Sequence, residues 1–171
     1  MQNHFELFHL PQQFSIDLSA LERSYREVQN HSHPDRFTQA TGAEKRVAMQ
    51  WATRANEAYQ TLKNPFKRAA YLCELHGVDL EIESNTAMAT GFLMQQMEWR
   101  EALEEGRSTR NPKALMALEH ELQSLRKTEL ANVEKMLDAE NFEGAAKQIR
   151  QLMFLEKFGD EIAHAFDEID A

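Results

Sequence analysis

Three groups of residues in the 171-residue sequence are of types that could do chemistry. The first is His33-Pro34-Asp35-Arg36-Phe37. Proline fixes its own φ and restricts the residue before it, so this run reads as a stiff turn displaying His33 and Asp35. A carboxylate held in such a turn is a good acceptor for an arginine fork on another protein. Taken alone, the default reading is an aspartate capping a turn. His33 and Asp35 also suggest acid–base work, but no nearby serine or cysteine makes a persuasive nucleophile. Ser32 adjoins His33, and adjacency does not supply triad geometry.

The second group is Glu161-Ile162-Ala163-His164, which matches the Glu-x-x-His element of dimetal bundles. Such a site needs a second copy and two further glutamates. The sequence has no second copy, so a solvated helix face is the better reading. The third is Cys73, the only cysteine, which can form neither an internal disulfide nor a cysteine-based metal site alone. It reads as a small buried hydrophobe. His4, His9, His31, His76 and His120 form no ligand set, and no glycine-rich phosphate loop is present. The expectation is a protein without catalytic residues, metal or cofactor.

The segments that must position these residues read almost entirely as helix. Asp17 can cap a helix carrying Leu18, Leu21, Tyr25 and Val28, which must end before Pro34. Thr41-Gly42-Ala43-Glu44 opens the next helix, with Val47, Trp51, Ala55, Ala58 or Tyr59, and Leu62 as its apolar stripe. Asn64-Pro65 starts a third, which buries Phe66, Ala69, Ala70 and Cys73 and stops at Gly77. Residues 78–85 read as a linker. Three helices are expected after it: Thr86–Glu105 ending at Gly106, one from Asn111-Pro112 through Leu137, and one from Phe142 to Ile169. Long helices with short turns argue for an antiparallel three-helix bundle over residues 86–171. Trp51 and Trp99 are both expected in the core.

Charge follows the same division. Residues 1–77 hold nine Lys/Arg against eight Asp/Glu, while residues 78–171 hold ten against twenty. An acidic body repels phosphate backbones, which argues against nucleic acid as a partner. No apolar run approaches the roughly 20 residues that span a bilayer, and MQNHFELF does not read as a secretory signal, so the chain is expected in the cytoplasm.

At about 100° per residue, Met88, Phe92, Trp99 and Leu103 share one helix face. Leu93, Met94 and Met97 fall on another, beside Glu98, Glu101 and Glu105. A bundle helix needs one broad apolar stripe, so the second face is a surplus and a candidate docking surface. Phe154 likewise lies off the stripe of Phe142, Ala145, Ile149 and Leu152.

Over residues 3–77 the sequence resembles a J-domain. The matching features are Phe5-Glu6-Leu7-Phe8, His33-Pro34-Asp35 between antiparallel helices, Asn56-Glu57-Ala58-Tyr59-Gln60-Thr61-Leu62, Asn64-Pro65, Arg68 and Tyr71. Ser32 and the offsetting Glu22 and Glu27 depart from the common pattern. The whole chain resembles the HscB family, J-proteins of iron–sulfur cluster assembly, through Phe92-Leu93-Met94, Glu98-Trp99-Arg100-Glu101 and Phe154-Leu155-Glu156-Lys157. The resemblance implies an all-α fold, with an N-terminal J-domain (1–77), a linker (78–85) and a C-terminal three-helix bundle (86–171). It implies a co-chaperone that hydrolyses nothing itself and stimulates the ATPase of an HscA/DnaK-like chaperone. His33, Pro34 and Asp35 would carry stimulation, with Arg23, Arg26 and Arg36 adding electrostatic guidance. An IscU-type iron–sulfur scaffold would dock on Leu93, Met94, Met97 and Phe154, oriented by Glu98, Glu101 and Glu105. A J-protein adaptor for another client, and an enzyme with a carboxylate-bridged metal in its bundle, are the competing readings.

Overall fold

The computed structural model describes residues 2–32, 41–80 and 90–170. The described residues form seven α-helices and no strand. The chain divides into two compact units, Met1–His76 and Gly77–Ala171.

The first unit contains α1 (His4–Leu7), α2 (Leu18–Ser32), α3 (Gly42–Lys63) and α4 (Pro65–Leu75). Asp17 starts α2 by accepting the Ser19 and Ala20 N–H groups at 2.9 and 3.3 Å. At its far end the Ser32 hydroxyl donates back to the Val28 carbonyl at 2.8 Å. Thr41 caps α3 by accepting the Glu44 N–H. Asn64 caps α4 through Phe66 and Lys67, with Pro65 in the first turn where no N–H is needed.

Helices α2 and α3 run antiparallel. Tyr25 stacks on Tyr59 with centroids 4.1 Å apart, and its hydroxyl donates to Asn56 Oδ1. The inward positions of α3 are Ala48, Ala55, Ala58 and Leu62. Alanine lets the helices approach closely, and Phe5, Phe8 and Leu21 fill the space left over. Trp51, expected in the core, is 40% exposed, and Val47 and Leu18 are exposed too. Ala48 takes the inward position instead, one residue (about 100°) around the helix from Val47. Arg68 is buried although charged; it donates to the Leu62 carbonyl at 2.7 Å and lies over the Phe14 ring at 4.8 Å. Paired burial of this kind avoids an orphan charge.

The second unit contains α5 (Thr90–Ser108), α6 (Pro112–Asp138) and α7 (Phe142–Asp170). Its core is a ladder from Leu115, Leu118, Leu122, Val133 and Leu137 on α6 to Ala145, Ile149, Leu152, Leu155, Phe158 and Ile162 on α7. Both turns use a non-glycine residue in the left-handed region, Arg110 at φ 51° and Glu140 at φ 59°. The following N–H reaches back in each: Asn111 to the Gly106 carbonyl and Asn141 to that of Met136. The same asparagines then cap α6 and α7.

The expected helix end at Gly106 is corrected here: α5 runs through it to Ser108. Gly106 is buried, and a Cβ placed on it would lie 2.9 Å from Leu115 Cδ2. Its role is close packing of α5 on α6, not termination. Leu80 is also buried, and its carbonyl accepts from Arg150 Nε on α7.

Candidate functional site

Contacts between α5 and α7 fix their register. Trp99 stacks on Phe158, Arg100 pairs with Glu161 at 3.3 Å, Arg107 with Glu168 at 3.3 Å, and Arg110 donates to the Ile169 carbonyl. Partner numbers rise together, so the two helices are parallel. Phe154, one turn before Phe158, therefore lies at the level of residues 94 and 95 of α5, one turn before Trp99.

Around that level the side chains divide by face. Trp99 and Leu103 are buried, and Phe92 is half-buried. Leu93, Met94 and Met97 are exposed by 44%, 60% and 65%, and Phe154 is half-buried. Glu98, Glu101 and Glu105 are exposed on the same helix. Met88 lies outside the described residues. The result is an apolar surface with a Met-rich, adaptable centre and carboxylates along its margin. On α7 the neighbouring Glu156 is engaged by Arg126 of α6, whereas Glu98, Glu101 and Glu105 have no ion-pair partner among the described residues. Sequence spacing located the patch. It did not reveal the Arg126–Glu156 and Arg100–Glu161 pairs, because long-range partners leave no local signal.

In the first unit, Arg23 and Arg26 are exposed on α2. Arg26 is engaged by Glu22 at 2.7 Å, one helical turn away. Arg23 has no such partner among the described residues and is the freer charge. His33, Pro34, Asp35 and Arg36 lie outside the described residues.

Of the metal-like pattern on α7, Glu161 is taken by Arg100 and His164 faces Glu168 at 3.3 Å. Among the described residues, no three or more His, Cys, Asp or Glu are grouped to hold a metal ion. Among the same residues, no helix is long and apolar enough to cross a membrane. In the first unit, His4 and Tyr71 shift each other's surroundings. His4 stacks on Tyr71 at 4.3 Å, and burial pushes its pKa below the usual histidine value, with Glu57 opposing and Arg54 adding to the shift. Burial pushes Tyr71 up, against the hydrogen bond its hydroxyl accepts from the His4 N–H.

An all-α chain in two units, with an antiparallel helical hairpin in the first and a three-helix bundle in the second, has the architecture of a J-type co-chaperone. Residues 88–163 match the family described as HSCB C-terminal oligomerisation domain. The co-chaperone protein HscB homologue of Burkholderia thailandensis is 53% identical over 98% of this chain and 96% of its own length. The chaperone HscB of Vibrio cholerae superposes with a TM-score of 0.87 at 37% identity, covering 98% of this chain and 99% of that one. Human co-chaperone HscB gives 0.91 at 27% identity, covering 96% and 82%. The chain belongs to the HscB co-chaperone family.

Proposed function

We propose that this chain acts in the cytoplasm as a non-enzymatic adaptor. It stimulates the ATPase of an HscA/DnaK-like chaperone and delivers an IscU-type iron–sulfur scaffold to it. The observation that carries the reading is the exposed Leu93–Met94–Met97 surface with its Glu98, Glu101 and Glu105 margin. A bundle gains nothing in its own stability from three large apolar side chains left in water. A partner that covers them recovers their transfer free energy, and the carboxylates select a basic surface and speed encounter.

On this reading Asp35 accepts from a cationic group on the chaperone, and His33 and Pro34 complete the motif. Arg23, Arg26 and Arg36 guide approach, Arg23 most strongly because Glu22 offsets Arg26. Stimulation then means that docking favours the hydrolysing arrangement of the chaperone by differential binding. Tethering scaffold and J-domain in one chain raises the scaffold's local concentration at the chaperone.

The test is scaffold affinity of a Leu93→Ala, Met97→Ala, Phe154→Ala variant, measured by calorimetry. Loss on the order of a hundredfold is expected, since buried interface anchors each contribute about 1 kcal/mol or more. Unchanged affinity would remove the patch from the account.

A further inference from the structure

Met94 and Met97 stand at the centre of the α5 patch, exposed by 60% and 65%. A peroxide reaches a thioether only where solvent does, so exposure decides which methionines react. Among the described side chains, Met49, Met94, Met97 and Met116 are exposed, while Met136 and Met153 are half-buried. Met49 belongs to α3, in the first unit. Met116 follows Leu115, which packs on Gly106, so it is level with a part of α5 roughly 13 Å beyond Met97. Two accessible thioethers therefore lie inside the candidate interface and two lie outside it. The cysteine sulfur, Cys73, is fully buried and shielded from the same reagent.

We infer that Met94 and Met97 form a reversible oxidation site, through which hydroperoxides switch off docking on this patch. The inference rests on the adaptor reading, whose patch it regulates. The thioether sulfur attacks one oxygen of the hydroperoxide. An S–O bond forms as the O–O bond breaks, and the hydrogen on the attacked oxygen passes to the leaving one. The sulfur is oxidised to a sulfoxide, and hydrogen peroxide is reduced to water. A thiol-dependent sulfoxide reductase reverses the step: two thiols become a disulfide, and the oxygen departs as water.

The chemistry explains why docking, and not folding, responds. In the free chain the new sulfoxide oxygen faces water and is satisfied there. Docking buries it against an apolar partner surface, where an unpaired acceptor is costly. Glu98 and Glu101, one helical turn beyond Met94 and Met97, accept only and cannot donate to it. Leucine at either position offers comparable apolar volume without an oxidisable sulfur. Leu93, exposed on the same face, already does so.

The experiment treats the full chain with hydrogen peroxide and removes the peroxide before an IscU-type scaffold is added, so that the scaffold is never oxidised. Peptide mass spectrometry should show oxygen added to Met94 and Met97 ahead of Met136 and Met153. Calorimetry should show scaffold affinity falling on the order of tenfold or more. Circular dichroism should stay unchanged, and sulfoxide reductase should restore the affinity. Met94→Leu with Met97→Leu should bind the scaffold as the untreated parent does and keep that affinity after peroxide. Met49→Leu with Met116→Leu should lose affinity on oxidation as the parent does. The inference is overturned if the oxidised chain binds as before, if Met94 and Met97 react no faster than Met136 and Met153, or if the Met94→Leu, Met97→Leu chain loses affinity equally. Failure of the adaptor reading looks different: the untreated chain would not bind the scaffold, or would bind it equally after Leu93→Ala, Met97→Ala, Phe154→Ala, and the inference would fall with it.

Discussion

Trp99 stacks on Phe158 with ring centroids 5.7 Å apart and planes inclined by 21°. This contact joins α5 to α7 directly behind the surface formed by Leu93, Met94 and Met97, and brings Phe154 level with it. Rigid aromatic packing beneath an adaptable exterior separates two kinds of residue on one helix. Trp99→Ala should destabilise the second unit by about 3–5 kcal/mol, the usual cost of emptying a buried aromatic site. Met97→Ala should change stability by less than about 0.5 kcal/mol. Denaturant unfolding of both variants checks the contrast.

Gly106 meets Leu115 so closely that no side chain fits without movement of α5 or Leu115. Gly106→Val should cost about 1–3 kcal/mol through overpacking. Pairing it with Leu115→Ala should recover part of that loss, because the cavity and the added methyls occupy the same space. A double-mutant cycle in denaturant measures the recovery.

Glu140 turns the chain between α6 and α7 at φ 59°, where a Cβ is disfavoured. Glu140→Gly should raise stability by about 0.5–1 kcal/mol, the relief of strain exceeding the entropy glycine adds to the unfolded chain. The thermal midpoint of the second unit should rise. A fall would mean that the glutamate makes a compensating interaction in solution.

The His4 imidazole is disfavoured in its charged form by burial against Tyr71. Its pKa is therefore lower folded than unfolded. The stability this contributes is present above the unfolded value and is lost as pH falls through the folded one. Acidification from about pH 7 to below the ordinary histidine range, about 6.5, should weaken the first unit. His4→Phe should remove that part of the pH dependence while keeping the ring stack. Urea midpoints at several pH values test it, and an unchanged slope in the variant would assign the effect elsewhere.

Helix content and caps were legible because they are local. Asp17, Thr41, Asn64 and Asn111 each accept a backbone N–H at the start of a helix; Asn141 does the same for α7, a cap that the sequence reading does not single out. The two faces of α5 were legible because periodicity alone divides Trp99 and Leu103 from Leu93, Met94 and Met97. What failed depended on neighbours. Trp51 was expected inside, yet the close approach of α2 to α3 selects Ala48. Gly106 looked like a helix stop, and only the position of Leu115 shows that it is a packing glycine. That Arg68 is buried has no signal in the sequence, because it depends on Phe14 and the Leu62 carbonyl around it.

Steady-state ATP hydrolysis by an HscA/DnaK-like chaperone, with the chain and an IscU-type scaffold added singly and together, puts the co-chaperone account at greatest risk. The account predicts that the chain accelerates turnover and that both together exceed either alone. Asp35→Asn should abolish the acceleration while scaffold binding survives. Turnover indifferent to the chain, or fully stimulated by Asp35→Asn, would contradict it.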